Sequence, residues 1–329
     1  MEVPTMKRKL WMAVVTLLGV IMVGEIGCRL VWSVADLQLN PTENAHLRDH
    51  PTRLWVQAPN LDIELAEHGR LRTNALGLRN EEVIVPKPNG EFRVLSLGES
   101  STWGHGVRLP ESYSKIIEQQ LKRSGKAATV INAGIPAYTI QQSAMYLQEA
   151  GLSLQPDVVL VYHQTNDFLP AHVTDAHNPL VQLTGNDREL IERRRPIAQL
   201  LKFLFNSRLY LAVRTAMLRL PSNLPSADTV RDGPVRVPPE DRRAALDLML
   251  NVCNQAGVRL VIVQPMYAID HSEDRLLRDW SAERHVTYIE TDSLRRSLGA
   301  NIQRLYLPDG VHPRPAVHRM LGEHIAKAL

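Results

Sequence analysis

The stretch "LSLGESSTWGHGV", Leu95 to Val107, joins a strand-like segment to a loop rich in hydroxyl groups and glycine. The run Arg93 to Leu97 has the length of one buried strand, and it ends at Gly98. Ser100 follows two residues after Gly98. A serine in this place usually caps a turn, but a serine held at the rim of a sheet can also act as a nucleophile. The rest of the chain has to separate these two interpretations.

The strand pattern of this stretch recurs four more times, and stretches with helical spacing lie between the strands. The predicted strands are Arg93–Leu97, Thr129–Asn132, Val158–Tyr162, Arg259–Val263 and Thr287–Glu290. The predicted helices are Ser112–Arg123, Ile140–Ala150, Glu240–Gln255, Glu273–Glu283 and Val311–Leu329. Strands that are apolar on both faces and alternate with helices indicate an α/β fold with a parallel sheet covered on both sides. In such sheets the functional site lies in the loops at the carboxyl ends of the strands.

The overall composition is that of a globular protein with attachments. Of 329 residues, 44% are hydrophobic and 22% are charged, which is enough to bury a full core. The net charge is only +3, and the basic residues are spread along the chain, so a nucleic-acid partner is not predicted. Cys28 and Cys253 lie far apart, which argues against a disulfide framework or a cysteine-based zinc site.

The N-terminus carries a membrane-targeting segment, predicted over residues 1–35. Lys7, Arg8 and Lys9 precede an uncharged run from Leu10 to Gly24, and the apolar character continues to Trp32. The favoured interpretation is an uncleaved single-pass anchor in the cytoplasmic membrane, with the body outside the cytoplasm. The alternative is a signal peptide cleaved near Ala35, which would release a secreted protein.

The remainder is predicted to form two parts. Residues 36–92 contain five prolines and are predicted to be a stalk with short strands, and residues 93–329 form the main α/β domain. An insertion at about 169–239 interrupts this domain. Within it, Pro196 to Leu220 is apolar but dotted with basic residues, which is compatible with a membrane-surface helix. The favoured alternative is a helical cap or an inserted helix pair whose apolar face packs on the sheet. Under either interpretation the stretch overhangs the strand ends.

Polar residues suited to acyl transfer occur after successive predicted strands and before the last helix. They are Ser100 in "GESST", Gly134 in "VINAGIPAYT", Asn166 in "VYHQTND", and Asp309 and His312 in "LPDGVHP". Taken singly, each is compatible with a turn, a cap or a surface residue. Their joint occurrence in this order favours a catalytic site.

The chemistry of acyl transfer explains why these residue types belong together. A serine hydroxyl becomes a nucleophile when an imidazole takes its proton, and an acceptor must hold that imidazole in the right tautomer. Asp309 is spaced to reach Nδ1 of His312 while Nε2 faces Ser100. The oxyanion needs donors that already point at it, and the amides of Ser100 and Gly134 and the side chain of Asn166 are candidates.

These blocks resemble those of the SGNH hydrolases, also called the GDSL esterase/lipase superfamily, over roughly Arg93 to Leu329. The resemblance implies a flavodoxin-like three-layer α/β/α fold, an ester hydrolase activity, and no metal or organic cofactor. By the same resemblance Ser100 corresponds to the nucleophile, Gly134 and Asn166 to oxyanion donors, and Asp309 and His312 to the rest of the triad.

The sequence departs from the family pattern at two positions. The usual aspartate before the nucleophile is Glu99, and Gln164 replaces the glycine that usually stands two residues before Asn166. A bulky side chain at Gln164 is expected near the oxyanion hole, as a candidate substrate contact. Trp103, inside the nucleophile loop, is a second candidate contact, with packing against the first helix as the alternative.

These features predict a membrane-anchored serine esterase that removes an O-acyl group, with an O-acetyl ester on an extracytoplasmic glycan as the predicted substrate. Two alternatives keep the same triad, namely an O-acetyltransferase and a lipolytic esterase that uses Pro196 to Leu220 to engage a bilayer. A non-catalytic binding or assembly protein on the same fold is the alternative from a different class. The sequence does not predict the oligomeric state.

Overall fold

The computed structural model describes residues 6–33, 46–65, 69–171, 185–218, 233–269 and 275–329. The chain begins with one long helix, α1 (Met6–Val31). Two antiparallel hairpins follow, formed by β1 (Leu47–His50) with β2 (Leu54–Gln57) and by β3 (Asp62–Leu65) with β4 (Gly69–Arg72). The α/β body comes after them.

The body contains a five-stranded parallel sheet. Its strands are β5 (Phe92–Gly98), β6 (Ala128–Gly134), β7 (Val158–Tyr162), β8 (Arg259–Val263) and β9 (Thr287–Ile289). The spatial order is β6-β5-β7-β8-β9, which is the order of flavodoxin-like folds. All five predicted strands are confirmed. The strand order reverses between β5 and β7, so the loops after these two strands form the crevice where ligands bind in such sheets.

Helices cover both faces of the sheet. On one face lie α4 (Ile140–Glu149) and α8 (Pro239–Ala256), and on the other lie α3 (Tyr113–Arg123) and α11 (Pro315–Ala328). Alternate residues of β5 point to opposite faces, because Leu95 and Leu97 join the first core and Val94 joins the second. This arrangement confirms the three-layer α/β/α architecture.

Shorter helices complete the body: α2 (Ser100–Trp103), α9 (Leu276–Glu283) and α10 (Asp292–Leu298). The last helix begins later than the sequence predicted, at Pro315 rather than at Val311. Proline suits the first position of a helix because it has no amide hydrogen to leave unbonded there. Residues 309–314 therefore remain a turn, and that turn carries Asp309 and His312.

The segment predicted to be a stalk packs on the body from His46 onward, while residues 34–45 lie outside the described residues. Leu54 and Trp55 of β2 form one buried cluster with Ile135 and Tyr138 of the loop after β6. The Trp55 indole donates to the Pro136 carbonyl at 3.2 Å, and the Tyr138 hydroxyl donates to the Trp55 carbonyl at 2.8 Å. The hairpin β1–β2 therefore supports a loop at the carboxyl edge of the sheet.

The insertion leaves and re-enters the body at one place, where Pro170 pairs with Val235. Its described part forms α5 (Asp187–Arg194), α6 (Ala198–Leu204) and α7 (Arg208–Leu218). The described part packs in two places: α7 packs mainly on α1, and Ile191 of α5 joins the buried cluster of Ile135 and Tyr138 in the loop after β6. The cap over the sheet stays a prediction. Arg214 also pairs with the buried Asp49 of β1 at 2.7 Å.

Candidate active site

The nucleophile loop leaves the sheet at the end of β5. Ser100 is the first residue of the one-turn helix α2, so its amide points out of the helix start without a helical partner. Gly104 ends the turn with φ of 91°, a left-handed conformation that glycine adopts at no steric cost. The turn holds Ser100 partly exposed, while Ser101 and Thr102 beside it are buried.

Ser100, His312 and Asp309 form one hydrogen-bonded chain. The Ser100 Oγ lies 2.7 Å from Nε2 of His312, and Nδ1 of His312 lies 2.8 Å from Oδ2 of Asp309. When Nδ1 of His312 carries the ring proton and donates it in a hydrogen bond to the Asp309 carboxylate, Nε2 carries no proton. Nε2 can then accept a hydrogen bond from the serine hydroxyl. The structure brings together, across 212 positions of sequence, the triad residues that the sequence predicted.

The Asp309 carboxylate also organises its own turn. Its Oδ1 accepts from the amides of Val311 at 2.8 Å and His312 at 2.9 Å. Burial raises the pKa of Asp309, but the bonds from the His312 side chain and from these two amides outweigh it and hold the pKa well below its ordinary value. Asp309 is therefore ionised at neutral pH and able to orient the imidazole.

A second histidine, which sequence reasoning missed, lies against the triad. The ring of His105 stacks on the ring of His312, with 4.1 Å between centroids and 29° between planes. The His105 amide donates to the Ser100 carbonyl at 3.0 Å, so the same residue is tied to the nucleophile turn. The sequence did contain a signal for this contact, namely a histidine within the nucleophile loop, two residues after Trp103.

Asn166 lies at the end of β7 with its side chain partly exposed. One hydrogen of its side-chain amide is used, because Nδ2 donates to the Tyr138 carbonyl at 3.0 Å. A primary amide has two such hydrogens, so this bond leaves the second for an oxyanion. The Asn166 backbone amide donates to Oε2 of the buried Glu99 at 3.1 Å, which ties Asn166 to the nucleophile turn.

Gly134 occupies a different environment from the one that the sequence suggested. Its amide donates to Oδ1 of Asn132 at 3.0 Å, so an oxyanion at Gly134 would have to displace that bond. A left-handed backbone conformation occurs three residues later, at Ala137, which has φ of 60°. Gly134 is required for another reason: a Cβ there would collide with the backbone of Thr102 and Trp103.

The two candidate substrate contacts are both interior side chains. Trp103 is fully buried, stacked on His46 at 5.4 Å between centroids, with the Arg79 guanidinium 4.4 Å from its ring centroid. Gln164 is only 5% exposed. The prediction that these residues face substrate therefore does not fit their burial, and their side chains belong to the support of the loops.

Arg79 is the second residue that sequence reasoning missed. Its guanidinium donates to the carbonyls of Trp103 at 3.2 Å, Gly104 at 2.6 Å and Val107 at 2.8 Å. Three carbonyls of the nucleophile loop thus share one cation, although burial lowers the pKa of Arg79 to about 10. A lone arginine in "LGLRN" carries no sequence signal for this contact, because its partners are backbone atoms.

Two buried carboxylates connect the strand-end loops beneath the site. Glu99 accepts from the Tyr267 hydroxyl at 2.5 Å, and burial raises the pKa of Glu99 to about 7. Asp167 accepts from the Ile140 amide at 2.9 Å and pairs with Arg242 at 3.3 Å, and burial raises the pKa of Asp167 to about 6. Among the described residues, no three His, Cys, Asp or Glu side chains form a metal-binding group.

The sequence profile of the GDSL-like lipase/acylhydrolase family matches residues 96–320, which is more than half of the chain and spans the whole triad. The chain belongs to this family. It is therefore an ester hydrolase of the GDSL type, as the resemblance of the four sequence blocks predicted. The matched residues lie in the α/β body, which also contains the five-stranded sheet. The family match and the strand order therefore describe the same part of the chain, and neither depends on the N-terminal segment.

Solved structures similar to this GDSL-type hydrolase include the lipase/acylhydrolase from Enterococcus faecalis, with 15% identity and a TM-score of 0.45, covering 72% of this chain and 94% of that one. A variant of an acetyl-xylooligosaccharide esterase from Geobacillus has 15% identity and a TM-score of 0.45, covering 72% and 93%. Esterase EstA from Pseudoalteromonas has 12% identity and a TM-score of 0.43, covering 71% and 94%. No curated protein sequence matches the chain. Likenesses this remote do not assign a substrate.

Proposed function

We propose that this GDSL-type hydrolase is a serine esterase in which Ser100 attacks an O-acyl ester. The observation that carries the proposal is the continuous chain of hydrogen bonds from Ser100 through His312 to Asp309, at 2.7 and 2.8 Å. A catalytically decayed binding protein would have no need to keep these three groups aligned. The assembled triad therefore favours an enzyme over a binding protein on an inherited scaffold.

The reaction follows from this alignment. As the Ser100 Oγ forms a bond to the carbonyl carbon of the ester, its proton moves to Nε2 of His312. The ester C–O bond then breaks, and the leaving alcohol takes that proton. In the second half water attacks the acyl carbon while His312 accepts its proton. The bond from that carbon to the Ser100 Oγ then breaks, His312 returns the proton to Oγ, and the carboxylic acid leaves. Asp309 stays ionised and stabilises the imidazolium in both halves.

The oxyanion has two donors with clear access in the proposed site. They are the Ser100 amide at the start of α2 and the second hydrogen of the Asn166 side-chain amide. The Gly134 amide stays a predicted third donor, and it serves only if its bond to Asn132 breaks. Removing one oxyanion donor costs about 10²- to 10³-fold in rate.

The exposure of the triad supports hydrolysis over acyl transfer. The side chains of His312 and Asp309 are 17% and 43% exposed, and Ser100 is partly exposed. Water can therefore reach the acyl-serine, and transfer to a sugar would require that water to be excluded. An O-acetyltransferase is the second candidate function, and it predicts that a sugar acceptor competes with water for the acyl group.

The N-terminal helix supports an extracytoplasmic position for the body, and with it an extracytoplasmic substrate. α1 is 26 residues long, has a mean hydropathy of 2.0 over its best 18-residue window, and is long and apolar enough to cross a membrane. Lys7, Arg8 and Lys9 precede its apolar run, so we place its N-terminus in the cytoplasm and the body outside. A signal sequence meets the same criteria of length and composition.

An uncleaved anchor is favoured by the contacts of α1. Its Glu25 carboxylate accepts from the Ser207 hydroxyl at 2.8 Å and from the amides of Arg208 at 3.1 Å and Leu209 at 2.9 Å. Cleavage near Ala35 would remove the group that satisfies the start of α7. With the body held at the membrane, we propose an O-acetyl ester on an extracytoplasmic glycan as the substrate.

The first test is labelling of the full chain, in detergent, with a fluorophosphonate probe that reacts with activated serines. We expect the wild type to be labelled and Ser100→Ala not to be. Ser101→Ala is the matched control: it removes the neighbouring hydroxyl, which is 1% exposed and bonds to the Val311 carbonyl at 3.3 Å, and should leave labelling intact. An unlabelled, folded wild type would contradict an activated serine.

The second test compares substrates on a fresh sample of the enzyme that has not been treated with the probe. Acetate release is measured from acetylated oligosaccharides and from long-chain lipid esters, with and without an unacetylated sugar acceptor. Release from the oligosaccharides supports the proposed substrate, and acetylation of the added acceptor supports the transferase. Faster release from the lipid esters would instead favour the lipolytic alternative. Mass spectrometry of the membrane-extracted chain checks whether residues 1–35 are retained.

A further inference from the structure

The helices α6 and α7 leave apolar side chains on the protein surface. Ile197, Leu200 and Phe203 are 47%, 53% and 72% exposed, and Val213 and Met217 are 52% and 64% exposed. Ile197 ends the short 3₁₀ turn that leads into α6, and the other four residues lie on α6 and α7. All follow helical spacing of three or four residues, so they form one outward face on each helix. We call these five residues the apolar face of the insertion.

The apolar face is continuous with the surface of α1. A cleft between the two is lined by Ile21 of α1 together with Phe203, Leu209, Tyr210 and Val213. Gly24 packs against Leu209, where a Cβ would lie 3.2 Å from the leucine side chain. The C-terminal part of α1 and the hairpin α6–α7 are thus joined side by side.

The two charged residues in the C-terminal part of α1, Glu25 and Arg29, are paired at this junction. Glu25 pairs with Arg29 at 2.7 Å, in addition to its bonds at the start of α7, and Arg29 donates to the Asn206 carbonyl at 3.3 Å. Charges in an apolar segment are costly unless they are paired and hydrogen-bonded. These contacts place the start of α7 at the depth of the last turns of α1.

Basic residues surround the apolar face. Arg193, Arg195 and Lys202 are exposed, and Arg208 is partly exposed. An apolar face bordered by lysine and arginine matches a bilayer surface, where the apolar side chains enter the acyl boundary and the cations meet anionic headgroups. A second protein copy would bring the same cations against one another, which is unfavourable.

We propose that α6 and α7 dock on the surface of a bilayer that contains anionic lipids, beside the point where α1 leaves it. The proposal rests on the anchoring role proposed for α1, and it adds a second membrane contact. A single spanning helix leaves the body free to pivot, whereas a docked hairpin fixes its orientation to the membrane. Arg214 on Asp49 transmits that orientation to β1 and hence to the body.

The experiment uses the full chain in nanodiscs that contain anionic lipid, in a background with Cys28→Ser and Cys253→Ala. An environment-sensitive fluorophore is attached at Phe203→Cys or Val213→Cys. The body reference is Ile84→Cys, which is 67% exposed, and the anchor reference is Leu18→Cys, which is 59% exposed. Quenching by lipids that carry a nitroxide near the headgroup, or deep in the acyl chain, reports the depth of each label.

We expect the labels at 203 and 213 to be quenched by the shallow nitroxide roughly threefold more than the label at 84, as interfacial side chains are. Arg195→Gln with Lys202→Gln should weaken this quenching, and anionic lipid should strengthen it. Deep quenching at 18 without shallow quenching at 203 and 213 overturns the docking while α1 still spans. Loss of quenching at 18 as well overturns the anchor. Blue-shifted emission that depends on protein concentration and not on nitroxide lipid indicates a second copy and overturns the proposal.

Discussion

The imidazole of His105 stacks on the imidazole of His312, with 4.1 Å between the ring centroids. The ring of His312 is the one that links Ser100 to Asp309. His312 is thereby held on two sides, by the Asp309 carboxylate at one edge and by an aromatic face. We predict that His105→Ala lowers kcat by roughly 2- to 12-fold, the equivalent of an aromatic pair worth about 0.5–1.5 kcal/mol. Steady-state kinetics with an acetyl ester measures this loss.

His105→Phe is the matched control for that prediction, because it keeps a flat ring and removes the nitrogen atoms. Its kcat should stay close to that of the wild type if stacking positions His312. If His105→Phe loses as much activity as His105→Ala, the stack is not what matters and a ring nitrogen is.

Asp309→Asn tests the orienting carboxylate. We predict a loss of roughly 10²- to 10⁴-fold in kcat, because an amide cannot hold the proton of His312 on Nδ1 in the same way. The low pKa of Asp309 also stabilises the fold above the ordinary value of 3.8, and this contribution is lost as pH falls. The variant should therefore show a smaller drop in Tm between pH 5 and pH 3. Wild-type activity in Asp309→Asn would contradict the triad.

Glu99→Gln tests the buried carboxylate beside the nucleophile. Burial raises the pKa of Glu99 from 4.5 to about 7, so the folded state binds a proton more tightly than the unfolded chain. Stability from this group is full below pH 4.5 and is lost as pH rises through 7. We predict that the wild type loses about 2–3 kcal/mol more between pH 5 and pH 8 than the variant does.

Chemical unfolding of both proteins in the same detergent at several pH values makes that comparison. The opposite trend, with the wild type gaining stability over the variant as pH rises, would mean that Glu99 is ionised and stabilised in the folded state. The bonds from Tyr267 and Asn166 would then outweigh burial.

Gly134→Ala tests why a glycine ends β6. Its Cβ would meet backbone atoms of Thr102 and Trp103, which cannot move without moving Ser100. We predict a destabilisation of about 1–3 kcal/mol or more together with loss of fluorophosphonate labelling. Gly185→Ala is the control, since the nearest atom to its Cβ is the end of the flexible Glu189 side chain. A stable, fully labelled Gly134→Ala would show that the two loops are not in tight contact.

The sequence by itself determined the layers of the fold, and it named the three residues that the structure brings into one hydrogen-bonded chain. Five short apolar runs separated by amphipathic stretches specify a parallel sheet, because each strand buried on both faces needs helices on both sides. Asp309 and His312 were also readable, since their contact is a local turn of three residues. Ser100 followed from its place at the end of β5.

Contacts between distant segments were decided only by the tertiary structure. Trp103 is buried because Arg79 and His46 cover it, and His105 reaches His312 across more than 200 positions. The Gly134 amide is occupied by the Asn132 side chain, which spacing alone could not show. The helix α7 of the insertion packs on α1, where Glu25 accepts from the amides at its start. The spacing of apolar residues shows which face of a helix or strand is apolar. Which segment packs on that face depends on the path of the chain in three dimensions.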